Sequence, residues 1–317
     1  MWNERRAASA RRNLAALEGT ARDSTELIAA AAEIVGTVVP YDATCWATVD
    51  PASSLLTGSV TIAFDPTPEL EAQFAEIEVA GEDLHPFRQL MTGTPIARLS
   101  DVDRYARESS PRLDEIYRPL GLHHELRVAF VVDERCWAVA GLLRSPVTRD
   151  FDDEEVGFLR SVSTSVAKVV RSAVTAGARN VPSTAGPAVV VLDGRGVVVA
   201  TTPLAEERLQ ALERTRRGTL GIALRSVVSA VGVAGTGIAR ARLRDSDGSW
   251  VSLNASPLLA PGAPPQIVVS IEPIGPSDLT NLLLDAHGLT ARERDVCHQV
   301  LDGRSTAEVS AALYISA

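Results

Sequence analysis

Cys45-Trp46 and Cys136-Trp137 place a thiol beside an indole at two points in the chain. A thiol becomes a nucleophile or redox centre when it is exposed and deprotonated, whereas an indole offers a flat apolar wall. Both pairs fall in strand-patterned runs, where successive side chains point to opposite faces, so each cysteine faces away from its tryptophan. If the two strands are neighbours, Trp46 and Trp137 share a face. They could then line a pocket for a flat or apolar ligand, with Cys45, Cys136 and His85 as its polar candidates. The competing reading is that both indoles are ordinary core. A thiol-based reductase would need an exposed nucleophile and a resolving thiol, and no further motif supports one.

Other chemistry-bearing residues argue against catalysis. His123 and His124 are adjacent and cannot point the same way from a strand, which disfavours a chelate. Gly232-Val-Ala-Gly235-Thr-Gly237 lacks the Gly-Lys-Ser/Thr ending of a phosphate loop. Asp245-Ser-Asp-Gly248 lacks the distal glutamate of a calcium loop and reads as a hairpin turn. No G-x-S-x-G, H-E-x-x-H or convincing carboxylate pair is present. The expectation is a non-enzyme with no metal and no cofactor.

The densest signal lies near the C-terminus. Thr290-Ala-Arg-Glu293 is a capping box: the threonine hydroxyl can accept from the N–H three residues on, and the glutamate can reach back. Ser305-Thr-Ala-Glu308 repeats that chemistry. Between them Val296, Val300 and Leu301 form one helical stripe, and Gly303 supplies a left-handed stop. After the second box come Val309, Ala312 and Leu313, with Ile315 one anchor beyond. The pattern predicts two short helices joined by a tight turn.

This segment resembles the start of the LuxR/NarL family of helix-turn-helix DNA-binding domains. The matching positions are Leu289, Thr290, Arg292, Glu293, Val296, Gly303, Ser305, Glu308, Val309, Leu313, Ile315 and Ser316. Cys297, Thr306 and Ser310 depart from the family's usual residues. In that family Ser316 would cap the recognition helix, so the resemblance covers about half of the domain and implies a truncated output. Residues 278–317 carry three arginines (Arg292, Arg294, Arg304) against six carboxylates, unlike a phosphate-binding surface. DNA is therefore expected as a partner only of an intact, longer protein.

The rest of the chain must position these features. Its 317 residues leave room for two further domains, and the net charge of −9 argues against wholesale binding to nucleic acid or anionic membrane. Three cysteines without a C-x-x-C pair fit a reducing compartment. Neither a signal peptide nor a transmembrane run is visible, so a cytoplasmic location is expected.

A helix is predicted over 1–39. Residues 40–176 follow, with strands at 43–49 and 56–64 and a polar, helical insert. A hairpin comes next, at 126–132 and 136–143 around Asp133-Glu-Arg135, and then a helix over 152–174. The segments Gly121-Leu-His-His-Glu-Leu-Arg-Val, Cys136-Trp-Ala-Val-Ala-Gly-Leu-Leu-Arg and Phe151-Asp-Asp-Glu-Glu make this region resemble a GAF domain. That resemblance implies an unknown small-molecule effector. The seam Val156, Leu159, Val162, Val166, Val169 and Val170 suits either a domain core or a coiled-coil, and a parallel homodimer is expected.

A linker is predicted over 177–186. The strand–helix–strand order of 187–274 resembles a PAS-like domain, a sheet with one covered face. Pro273 to Pro276 reads as a hinge before the helix-turn-helix half, 278–317. The fold class is therefore α+β: a GAF-like unit, a PAS-like antiparallel-sheet unit and a partial all-α helix-turn-helix.

Overall fold

A computed structural model describes residues 2–20, 22–175, 187–193, 196–215, 219–233, 237–245, 248–259 and 264–316. The helix expected over 1–39 is in fact two, α1 (Glu4–Ala15) and α2 (Ser24–Gly36). Gly19 turns the chain at φ +74°, and Asp23 restarts it with a capping box to Glu26. Uninterrupted alanine-rich periodicity masked that break.

The first sheet contains β1 (Ala43–Val49), β2 (Leu56–Ile62), β3 (Ile96–Arg98), β4 (His124–Val132) and β5 (Arg135–Arg144). Its order is β2-β1-β5-β4-β3, antiparallel throughout. Asp133 and Glu134 both take positive φ, 50° and 59°, as a two-residue turn matched to strand twist requires. Helices α3 (Pro68–Ala80), α4 (Phe87–Thr92) and α5 (Arg104–Glu108) and a π-helical turn, Arg112–Tyr117, fill the insert between β2 and β4.

The long helix α6 (Asp153–Thr175) returns across the sheet. Leu159, Val162, Val166 and Val170 are buried in one core with Ala7, Leu14, Ile28, Val128 and Leu142. The α6 seam is therefore consumed inside the chain, the domain-core alternative of the two that its spacing left open. The apolar side of α6 finds its partners in α1, α2 and the sheet.

The second sheet contains β6 (Ala188–Asp193), β7 (Val198–Thr201), β8 (Ala239–Arg244), β9 (Trp250–Leu258) and β10 (Gln266–Pro273). Its order, β7-β6-β10-β9-β8, repeats that of the first sheet. Helices α7 (Pro203–Thr215) and α8 (Thr219–Val233) cover one face, where Ala205, Ala223 and Val227 pack with Val190, Leu253 and Ala255. The fold is α+β, with two antiparallel five-stranded sheets. The linker expected over 177–186 lies outside the described residues.

The two units are not independent beads. Trp250 and Ile274 are buried in the first unit's helix-covered core, and Ile222 is buried on the opposite side of the first sheet. The hinge expected at 273–276 is instead a packed connection: Ile274 is 1% exposed, and its N–H donates to the Trp250 carbonyl at 3.0 Å. The tail then forms α9 (Pro276–Ala286), α10 (Ala291–Leu301) and α11 (Thr306–Leu313). Leu282 and Ala286 dock α9 into the first core, so part of the 278–317 segment belongs to that unit.

Candidate functional site

The first sheet sorts its side chains into two environments. Facing α1, α2 and α6, Trp46 stacks on Phe130 with ring centroids 4.9 Å apart, and its indole N–H donates to Thr44 Oγ1 at 3.1 Å. Trp137 joins the same core through a bulge. Phe130 pairs with Ala138 and Val131 with Cys136, leaving Trp137 as the extra residue. The bulge brings the two tryptophans into one core, which plain alternation from Trp46 across to Ala140 would not do. Neither lines the cavity under α3 and α4, so of the two readings open to these indoles the packing favours ordinary core. Both are core side chains, because helices cover that face.

The cavity lies on the other face, under α3 and α4. Its volume is about 60 Å³. Cys45, Ala47 and Thr61 contribute from β1 and β2, Val139 and Gly141 from β5, and Phe74, Phe87 and Tyr117 from the insert. Ile222 reaches it from α8 of the second unit. Cys45 is thus the one predicted pocket residue that lines it. Cys136 is buried nearby, with its Sγ donating to the Ala138 carbonyl at 3.3 Å.

Burial pushes the Cys45 thiol up to about 12, with Glu71 adding to the effect, and burial pushes Cys136 up to about 12 as well. Neither sulfur is an activated nucleophile at neutral pH.

Beside the cavity lies a buried charge network that sequence reasoning missed. Arg112 donates from Nη1 to Asp83 Oδ2 at 3.1 Å and from Nη2 to Glu125 Oε2 at 3.0 Å. Arg127 Nη2 donates to Glu78 Oε1 at 2.5 Å, and its guanidinium sits 3.7 Å from the Phe87 ring centroid. Tyr117 presents its ring to the cavity and donates its hydroxyl to Glu125 Oε1 at 2.9 Å. Burial, reinforced by Glu125, raises the Tyr117 pKa well above its ordinary value.

The network ties α3, the π-helical turn and β4 together, and so fixes two of the cavity's aromatic walls. Its one sequence signal was Glu125 and Arg127 alternating with Leu126 and Val128 in a strand whose two faces are both buried. His85 stands near these charges rather than in the cavity lining, at φ +47° and with Nε2 buried and unpartnered. Burial lowers its pKa.

In the tail, both capping boxes are formed. Thr290 Oγ1 accepts from the Glu293 N–H at 3.3 Å, and Glu293 Oε2 accepts from the Thr290 N–H at 2.8 Å. Ser305 and Glu308 do the same at 3.4 and 2.8 Å. Gly303 ends α10 at φ +80°. Arg292 donates to the Leu313 carbonyl, tying the start of α10 to the end of α11. Val309 is buried and Val296 and Leu313 are half-buried, whereas Ile315 and Ser316 are exposed. Val300 and Leu301 are 58% and 63% exposed, so the predicted stripe is only partly covered.

Among the described residues, no cluster of three or more His, Cys, Asp or Glu side chains could hold a metal. No described helix is long and apolar enough to cross a membrane.

No family model and no curated protein matches the chain. Solved structures that resemble it include the bacteriophytochrome RpBphP3 of R. palustris, at 11% identity and TM-score 0.37, covering 95% of this chain and 75% of that one. PelD 158-CT from Pseudomonas aeruginosa PAO1 is 14% identical with TM-score 0.34, covering 88% and 82%. An RNA-binding light-oxygen-voltage receptor is 13% identical with TM-score 0.21, covering 78% and 100%. Likenesses this loose carry no argument, and the α+β architecture stands on the two sheets themselves.

Proposed function

We propose that this chain is a ligand-responsive transcriptional regulator. Its GAF-like first unit senses a small molecule, its second unit is PAS-like, and its tail is the scaffold of a LuxR-type reader. The observation that carries the output assignment is the pair of capping boxes at fixed spacing in a two-helix unit whose Val300 and Leu301 stay exposed. Such a unit has the scaffold of a helix-turn-helix without a covered apolar stripe. The aromatic cavity supports the sensory half.

The acidic tail offers no phosphate-binding surface, so residues 1–317 are expected to bind DNA weakly and without sequence preference. Gel-shift titration against the promoter of its own gene tests this, and tight, sequence-selective binding by residues 1–317 would refute it.

The same acidity favours a second reading, an adapter whose exposed Val300, Leu301 and Ile315 meet a protein partner. Retention of the partner by Val300→Asp would count against the adapter. A homodimer, which paired DNA half-sites require, must use a surface other than the buried α6 seam. The assignment includes no catalytic turnover, in keeping with the protonated thiols, and a cytoplasmic location, in keeping with three free cysteines.

A further inference from the structure

Ile222 belongs to α8 of the second unit, yet it is 5% exposed, packs with the first unit's Ala47, Leu56 and Phe87, and lines the first unit's cavity. Resting on the reading of that cavity as the sensor site, we propose that it is a composite site for an uncharged, flat aromatic molecule. The ligand is admitted by outward movement of α8, so that ligand binding and docking of the two units form one equilibrium.

The ligand class follows from the lining. The chain holds only 6 Phe and 4 Tyr, and Phe64, Phe74, Phe87 and Tyr117 all line this one cavity. Ring faces suit a flat aromatic guest. Glu71 is the sole charged residue of the lining, and it is already engaged with Arg225 of α8 at 3.5 Å. A charged guest would find no free counter-ion there. The remaining polar groups are the Cys45 thiol, the Tyr117 hydroxyl held by Glu125, and the Ser59 and Thr61 hydroxyls.

The movement follows from the volume. A cavity that takes benzene measures about 150 Å³, and this one measures about 60 Å³. A wall must therefore yield. The sheet wall is fixed by its ladders, with Cys45 paired to Thr61 on one side and Gly141 on the other. Phe87 is held under Arg127, and Tyr117 is held by Glu125. By contrast, α8 belongs to the second unit and meets the cavity by side-chain packing at Ile222 and by the largely buried Glu71–Arg225 pair, with no sheet ladder fixing it to this wall. Ile222 is the wall that can leave. By linkage, whatever holds α8 down weakens the ligand, and the ligand loosens α8 by the same factor.

The test is titration of the full chain with indole and quinoline, with amide hydrogen exchange followed across α8. The expected result is saturable binding with faster exchange in residues 221–231. Ile222→Ala should tighten binding by about tenfold or more, because the variant no longer spends affinity on opening the site. Ile222→Val, which keeps the fold with a smaller wall, should fall between the two. Cys45→Phe, which fills the cavity, should abolish binding. Binding with unchanged α8 exchange, and equal affinity in the Ile222 variants, would overturn the composite site yet leave the sensor reading intact. Absence of binding in the wild type and in both Ile222 variants would overturn both.

Discussion

Arg242 of β8 grips Asp50 at the end of β1: Nη2 and Nε donate to Oδ1 at 2.5 and 3.0 Å, while the Arg242 backbone N–H donates to Oδ2 at 3.0 Å. Their side chains are 6% and 2% exposed, so both charges lie out of water at the junction of the two sheet units. A buried pair of this kind holds a geometry more than it adds stability, and its main energetic signature is the cost of breaking it.

Asp50→Ala should therefore destabilise the chain by about 3–5 kcal/mol, because Arg242 is left buried without its counter-charge. Replacing both residues with apolar side chains of similar size, as in Asp50→Leu with Arg242→Met, should recover much of that loss. Chemical denaturation of the two variants checks the ordering, and a double variant as weak as Asp50→Ala would show that the pair is not the cause.

Tyr117→Phe removes one hydroxyl from a buried carboxylate and should cost about 1.5–3 kcal/mol, the range for hydrogen bonds to charged groups. The cavity ring remains in place, so aromatic-ligand binding should change less than stability does. Unfolding curves and ligand titration of the same variant compare the two.

His85 supplies a pH signature. Burial lowers its folded pKa from the ordinary 6.5, so the unfolded chain binds more protons between the two values. Stability from this group is present above 6.5 and is lost as pH falls through the window down to the depressed folded pKa. His85→Gln should flatten that part of the stability–pH curve relative to wild type. Parallel curves for the two proteins below pH 6.5 would contradict the assignment.

Thr290→Ala and Ser305→Ala should each cost about 1 kcal/mol of local helix stability, since each hydroxyl satisfies an orphan N–H at a helix start. Amide exchange should accelerate in α10 or α11 alone, with both sheets unaffected.

The thiols give a quick chemical check. Burial raises the pKa values of Cys45 and Cys136 to about 12, so both stay thiols at pH 8 and react slowly in the folded chain. A native thiol titration should label Cys297 first, because the pKa values of Cys45 and Cys136 are raised, and should reach three equivalents only on unfolding.

Much of this architecture was legible in the residues. The strand at 43–49, the hairpin around Asp133 and the helix after Phe151 follow from period and turn chemistry, and so do the strands of the second sheet. What stayed hidden was tertiary. A one-residue bulge carries Trp137 into the helix-covered core, and no periodicity announces a bulge. β3 is three residues long and too short to show alternation. Glu125 and Arg127 mimic the solvent face of a strand, and only the helices above them show that the face is buried. Ile222 reads as one more apolar residue of α8, and its role at the cavity comes from a packing partner about 150 residues away in sequence.

Native mass spectrometry of the purified full chain tests the sensory claim most directly. The account predicts a bound uncharged aromatic compound that is retained under gentle ionisation and absent from Cys45→Phe. Wild type and Cys45→Phe both at their bare polypeptide mass, even after incubation with aromatic probes, would contradict it.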